Sequence, residues 1–114
     1  MPVDIGVFAC KCGCGLNVIK EKVVDLVDAI QSVAPECHVN SGCRCEKHNE
    51  EEGGVVNSPH LIGDAVDISC PNSSIRYMVL RKLFALGVKR VGIGKNFIHF
   101  DVSEEKSQWV MWLY

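Results

Sequence analysis

Three residues of this 114-residue chain have the types and the spacing that suit a metal ion, namely His60, Asp67 and His99. Two imidazoles and a carboxylate are typical ligands of a catalytic zinc, which keeps one position for water, whereas structural zinc usually has four cysteine-rich ligands. A histidine can also be an ordinary hydrogen-bonded core residue, and an aspartate in an apolar strand can belong to an unrelated polar network. Spacing alone leaves both interpretations open.

The residues around Asp67 and His99 predict two strands that would bring these side chains to one surface. Residues 65–70 and 97–102 read as strands, and alternate side chains of a strand point to the same face. On the second strand, His99 and Asp101 should therefore share a face. The third potential ligand lies in the loop that precedes the first strand. Ligands from separate segments would then meet on one rigid support.

The rest of the pattern predicts an α+β fold, with a small antiparallel sheet packed against two main helices and the metal site on a face of the sheet. Apolar residues recur at helical spacing from Asn17 until Pro35, and Asn72 caps a second helix that ends at Gly87. Other predicted elements are a loop or short strand at 1–16, a strand at 37–40, a long site-bearing loop at 41–59, a hairpin of 89–93 with 97–102, and a tail at 109–114 that packs back on the domain.

The composition predicts one ordinary globular domain spanning residues 1–114. Hydrophobic residues make up 47% and charged residues 23%, and a net charge of -2 gives no electrostatic footprint for nucleic acid or an anionic membrane. No apolar run approaches the roughly 18 residues of a membrane span, and the first residues lack a secretory pattern. We expect a cytoplasmic monomer, so that any action outside the cytoplasm would need cell lysis, particle delivery or another export route.

Seven cysteines are many for this length, and their odd number leaves at least one thiol without a partner in the chain. Without a secretion signal, free or buried thiols are expected before disulfides. A second metal bound by cysteines is another interpretation, although C-x-C-x-C differs from the usual C-x-x-C spacing. The cysteines are Cys10, Cys12, Cys14, Cys37, Cys43, Cys45 and Cys70.

The chain contains an ordered series of short motifs, which are Ser41-Gly-Cys-Arg, His48-Asn, Gly53-Gly, Ser58-Pro-His-Leu-Ile-Gly-Asp-Ala-Val-Asp-Ile and Phe97-Ile-His-Phe-Asp. This series resembles peptidase family M15, the zinc D-Ala-D-Ala carboxypeptidases and related peptidoglycan peptidases. The flanking helices and the cysteine-rich start also look like small single-domain members found in bacteria and their phages.

The resemblance implies one zinc held by His60, Asp67 and His99, on the α+β fold that these peptidases share with the hedgehog signalling domain. Arg44 matches the family arginine thought to orient substrate, and a guanidinium suits a terminal carboxylate or a carbonyl oxygen. Its alternative is a surface arginine.

Two further positions of the motifs have a structural and a functional interpretation each. Ser58 matches a serine that binds substrate or fixes the loop. His48 belongs to an element that organises the loop, with direct substrate contact as the alternative.

One family feature is missing, because many relatives carry an acidic residue shortly before the last ligand to act as general base. Here Lys95 and Asn96 occupy that region. Asp101 is the nearest candidate, although two residues along a strand span about 7 Å. The alternative role of Asp101 is that of a carboxylate that orients a metal-bound histidine. Weaker candidates for the base are Asp64, Glu104 and Glu105.

The resemblance therefore implies a zinc metallopeptidase that hydrolyses peptide bonds in peptidoglycan stem peptides. Carboxypeptidase and endopeptidase action both fit the motifs, and the expected partner is a peptidoglycan peptide. The missing acidic residue supports an alternative, a catalytically inactive zinc-binding module of the same fold that binds the cell wall or has a structural role.

Overall fold

A five-stranded sheet is the centre of the fold in the computed structural model, which describes residues 3–114. The strands lie in the order β1-β2-β4-β3-β5, and all neighbours are antiparallel except β3 and β5. Their bounds are Val39–Ser41 for β1, Ala65–Ser69 for β2, Arg90–Ile93 for β3, Phe97–Asp101 for β4 and Val110–Leu113 for β5. The predicted α+β class is confirmed, with a sheet that is mostly antiparallel.

Two long helices cover one face of this sheet and enclose the core. They are α1, Glu21–Val33, and α3, Ser73–Ala85, and they contact each other. Alternate residues of the central strands, such as Ile68 on β2 and Phe100 on β4, pack into the core formed with these helices. Full burial of a side chain such as Phe100 contributes roughly 1.5–3 kcal/mol to folding. The same alternation leaves Asp67 and His99 on the opposite face.

The segment predicted as a long loop contains a short helix, α2, Glu46–Glu51, so that part of the prediction was wrong. The Cys45 sulfur accepts a hydrogen bond from the His48 amide at 3.4 Å and thereby caps its first turn. This helix could not be predicted from the sequence, because its six residues are polar without apolar periodicity and its cap is a cysteine rather than a usual capping residue. A 3₁₀ helix, Pro59–Ile62, follows and carries His60.

Two other predicted boundaries differ from the structure. The first helix begins at Glu21 rather than Asn17, because the preceding residues bond to neighbouring loops: the Lys20 amide donates to the Gly63 carbonyl at 3.0 Å. The N-terminal segment, predicted as a loop or short strand, contains a 3₁₀ helix, Ile5–Phe8, capped by Asp4 and is otherwise irregular up to residue 16. Residues 1 and 2 of that predicted segment lie outside the described part of the chain.

The C-terminal tail packs back on the domain as β5, the parallel edge strand beside β3. Its Trp112 lies opposite Gly92, where an added Cβ would come within 2.6 Å of the indole nitrogen, so the close approach of the ring requires a glycine. Across residues 3–114, no helix combines the length and the apolar character needed to cross a membrane.

Candidate functional site

The structure brings His60, Asp67 and His99 together on the sheet face opposite the helices. Asp67 on β2 and His99 on β4 are directly paired across the two strands. The Asp67 Oδ1 atom lies 2.9 Å from His99 Nδ1 and 3.3 Å from His60 Nε2. The potential ligand atoms of all three residues lie within 4.8 Å of one another. They are close enough to bind a single ion.

The ring of His60 is held so that only one of its nitrogens can face this cluster. Its Nδ1 atom lies 2.6 Å from the Gly42 carbonyl oxygen, which can only accept, so Nδ1 carries the hydrogen. The other ring nitrogen, Nε2, then faces Asp67 Oδ1. The Ser58 hydroxyl accepts from the His60 amide at 3.2 Å, and Gly63 ends the turn at a φ of 75°. The short turn therefore fixes the place of His60, and the Gly42 carbonyl fixes the orientation of its ring.

A buried chain of charged groups holds His99 from the other side. Its Nε2 atom lies 2.7 Å from Asp101 Oδ2, and Arg90 Nε donates to Asp101 Oδ1 at 2.7 Å. The Asp101 side chain is fully buried, and its Oδ1 also accepts from the Ser103 amide at 3.2 Å. Both carboxylate oxygens of Asp101 thus have partners. Arg90 was not anticipated from the sequence.

These contacts lower the pKa values of the two carboxyl groups and raise the pKa of His99. Burial raises the pKa of Asp67, but hydrogen bonds with His60 and His99 outweigh it and hold the pKa below its usual range. Burial likewise raises the pKa of Asp101, and its contacts with His99 and Arg90 give a net lowering. The pKa of His99 is lowered by burial and raised more strongly by hydrogen bonds to Asp101 and Asp67. The carboxylates are therefore ionised at neutral pH.

Arg44 lies beside the cluster and is held through all three of its nitrogens. Its Nη2 atom lies 3.2 Å from Asp67 Oδ2, Nη1 donates to Asn49 Oδ1 at 3.3 Å, and Nε donates to Ser41 Oγ at 3.2 Å. Gly54 packs against this arrangement, because an added Cβ would lie 2.0 Å from Asn49 Oδ1. Of the five N–H groups of a guanidinium, two remain for another ligand.

A cleft of about 570 Å³ opens over these residues. Trp112 and Tyr114 from the C-terminal tail form part of its wall, and the Trp112 ring lies 5.5 Å from the His99 ring. The apolar sequence of the tail predicted that it packs on the domain, but not that its aromatic residues line the cleft. That position depends on the pairing of β5 with β3, which is distant from it in the sequence. Glu52 also lines the cleft and was likewise missed.

His48 and Ser58 occupy different places around the cleft. Ser58 is buried and lines it, with its hydroxyl oriented toward the His60 amide. His48 lies on α2 and lines an adjoining hollow, where its Nε2 atom is 3.5 Å from Glu52 Oε1.

The remaining candidates for a general base lie away from the cleft. Asp64 forms an ion pair with Lys20 at 2.8 Å and lines a separate hollow with Glu104 and Glu105. The two residues at the positions where relatives carry an acid, Lys95 and Asn96, are exposed in the turn between β3 and β4.

Comparison with known families identifies the family of the chain. A sequence model of the family described as Peptidase M15 matches residues 5–101. The chain belongs to the peptidase M15 family. Membership indicates a metallopeptidase of a family that is zinc-dependent in general, and it confirms the assignment expected from the motifs. No curated protein matches the chain.

The region matched as peptidase M15 includes Arg44, His60, Asp67 and His99 and ends at Asp101. The tail that carries Trp112 and Tyr114 follows it. Part of the cleft wall of this M15 protein is therefore formed by residues outside the region that defines the family.

Proposed function

We propose that the protein is a zinc metallopeptidase that hydrolyses peptide bonds in the stem peptides of bacterial peptidoglycan, as a D-Ala-D-Ala carboxypeptidase or an endopeptidase. Family membership supports the class of enzyme. The observation that carries the proposal is the convergence of His60 Nε2, Asp67 Oδ1 and His99 Nδ1 beneath an open cleft. The substrate is expected from the resemblance of the motifs.

The donor set fits zinc. Two imidazole nitrogens and one carboxylate oxygen match a catalytic site with a free position. The Gly42 carbonyl and the Asp101 carboxylate each hold the other ring nitrogen of a histidine, an arrangement that commonly orients zinc-binding histidines. When bound, zinc supplies a Lewis acid that polarises a peptide carbonyl and makes water acidic enough to attack near neutral pH.

The protein residues then divide the remaining tasks. Asp101 holds the Nε2 hydrogen of His99 and leaves Nδ1 for the metal. Arg44 fixes the second oxygen of Asp67 and offers its free N–H groups to a substrate carbonyl or terminal carboxylate. Trp112 and Tyr114 form an aromatic wall on one side of the cleft.

Glu52 is our candidate for the group that accepts the proton from the attacking water. The carboxylates lining the cleft within residues 3–114 are Glu52, Asp67 and Asp101. Both oxygens of Asp67 and of Asp101 already contact nitrogen atoms. The Glu52 side chain is 56% exposed, and its ion-pair contact is with His48 at 3.5 Å. It is therefore free to turn toward a substrate.

Two substitutions separate the roles of Asp101 and Glu52. Asp101→Asn should lower turnover or zinc affinity by roughly 10–100-fold, the usual effect of losing a residue that orients a ligand.

Glu52→Gln should lower kcat by roughly 10²–10⁴-fold with zinc content unchanged, because a general base contributes on that scale. The measurements are zinc content and steady-state kinetics, with Glu50→Gln on the exposed side of α2 as the control. Full turnover by Glu52→Gln would exclude this base.

Zinc binding at the histidine site should weaken as the pH falls. The pKa of His99 is raised in the metal-free protein, so its proton must leave before zinc binds through Nδ1. We expect His99 to keep its proton above the pH of about 6.5 at which an ordinary histidine is half protonated. Nuclear magnetic resonance titration of the ring signals of metal-free protein measures this directly. Titration below that pH would contradict the expectation.

The decisive test of the function is digestion of purified peptidoglycan and short D-Ala-ended peptides by the zinc-loaded protein, with products identified by mass spectrometry. Release of terminal D-Ala would indicate a carboxypeptidase, and cleavage within cross-linked peptides an endopeptidase. No cleavage, with zinc bound stoichiometrically, would instead favour an inactive zinc-binding module. The residues at positions 95 and 96, where relatives carry an acid, are the observation that favours this second function.

A further inference from the structure

A second cluster of potential metal ligands lies away from the histidines. The sulfur atoms of Cys10, Cys12, Cys14 and Cys45 all lie within 4.8 Å of one another. The Sγ atoms of Cys10 and Cys12 are 3.4 Å apart, and those of Cys12 and Cys45 are 3.7 Å apart. Zn–S bonds of about 2.3 Å at tetrahedral angles place sulfur atoms roughly 3.8 Å apart. The observed separations are close to that value and far longer than a disulfide bond.

The backbone around the first three cysteines forms a tight turn that places their sulfurs together. The Cys10 amide donates to the Leu16 carbonyl at 2.8 Å and closes the loop. Within it, Gly13 and Gly15 have φ values of 89° and 85°, which side-chain-bearing residues rarely adopt. The loop thus brings alternate cysteines to one point, although their sequence spacing is not that of a common zinc motif.

Backbone amides also point at the sulfur atoms. The Cys45 amide donates to Cys10 Sγ at 3.4 Å, and the His48 amide donates to Cys45 Sγ at 3.4 Å. Donors of this kind favour thiolates over thiols, and thiolates are the form that binds metal. Cys45, which supplies the fourth sulfur atom, is also the residue that caps α2.

We propose that Cys10, Cys12, Cys14 and Cys45 bind a structural zinc ion distinct from the ion of the histidine site. Four thiolates without an open position are the ligand set of closed structural zinc sites. Without a metal, two of these thiols would be exposed beside one another and prone to oxidation. The other cysteines, Cys37, Cys43 and Cys70, are buried and do not take part.

Such an ion would tie the N-terminal loop to the segment that carries the substrate-facing arginine. Cys45 directly follows Arg44 and begins α2, which also contains the Arg44 partner Asn49. A metal tether at Cys45 would therefore stabilise this wall of the cleft. Binding of this ion does not depend on whether the histidine site is catalytic.

Metal stoichiometry tests the proposal with variants that leave the core intact. Cys12 and Cys14 are exposed, so Cys12→Ser/Cys14→Ser should fold normally. We expect two zinc ions per wild-type chain, one in this variant and one in His60→Ala/His99→Ala. Cys37→Ala, which removes a buried thiol outside the cluster, should keep both ions. The zinc content of each site is thus measured separately, and a variant that lacks one site still reports zinc binding at the other.

Cobalt substitution and alkylation give readouts that need no activity. Cobalt in the cysteine site should show strong sulfur-to-metal charge-transfer absorption that Cys12→Ser/Cys14→Ser lacks. Exposed Cys12 and Cys14 should resist iodoacetamide until a chelator is added. Zinc content unchanged by the double cysteine substitution, disulfides among these residues in protein purified without oxidants, or iron in place of zinc would each overturn the proposal.

Discussion

Replacing His60 by alanine is expected to remove zinc from the histidine site and to reduce peptide hydrolysis to background. His60 is 2% exposed, and its Nε2 atom is one of three converging donors. Loss of a residue that merely orients a ligand costs roughly 10–100-fold in metal affinity or activity, so loss of the ligand itself should cost more. Zinc per chain by elemental analysis and kcat/KM on a D-Ala-ended peptide measure both effects.

The control for this substitution is His38→Ala. His38 is exposed on the surface before β1 and does not line the cleft, so its replacement should preserve zinc content and turnover. The far-ultraviolet circular dichroism of the His60 variant should match that of wild type, since α1 and α3 pack on the other face of the sheet. Retention of the full zinc content and turnover by His60→Ala would remove this residue from the ligand set.

The part of the site that the sequence predicts is the part that depends on local alternation. Strands have a side-chain period of two, so Asp67 and His99 could be assigned to one face before any pairing was known. The direct pairing of β2 with β4 supplies the rest. His60 and Arg44 lie in loops that carry no periodic signal of their own, and the family motifs supported the first as a ligand and supplied the second.

The part that the sequence could not predict depends on contacts between distant segments. Arg90 reads as one more charged residue at the start of a strand, and only the fold brings it to the buried carboxylate of Asp101. Trp112 reaches the cleft because β5 joins β3 in parallel, a choice of partner that an apolar tail does not encode. A metal bound by cysteines was one interpretation of the sequence, but the choice of Cys45 as the fourth sulfur depends on α2, which lacks apolar periodicity.

Replacing Arg90 by methionine should destabilise the protein by up to about 3–5 kcal/mol, the cost of breaking a buried ion pair, because Asp101 loses one of its two charged partners. Asp101 would then keep only His99 and the Ser103 amide as partners. For a chain of this size, Tm should fall by on the order of 10–20 °C. Thermal unfolding of zinc-free protein measures the change, with Arg81→Met on the exposed side of α3 as the matched control.

A second substitution distinguishes an unpaired charge from lost packing. In Arg90→Met/Asp101→Asn no carboxylate is left to pair, so the double variant should be more stable than the sum of the single effects predicts. Additive losses would instead indicate that Arg90 contributes by packing alone.

The pH dependence gives an independent check, because the pKa of Asp101 is lowered in the folded protein. A carboxylate with a lowered folded pKa stabilises fully above its unfolded pKa of about 3.9, and that contribution is lost as the pH falls through the folded value. The deficit of Arg90→Met relative to wild type should therefore narrow in acid, where a protonated Asp101 no longer needs a cation. A deficit that stays constant from neutral pH into acid would show that Arg90 does not act through the charge of Asp101.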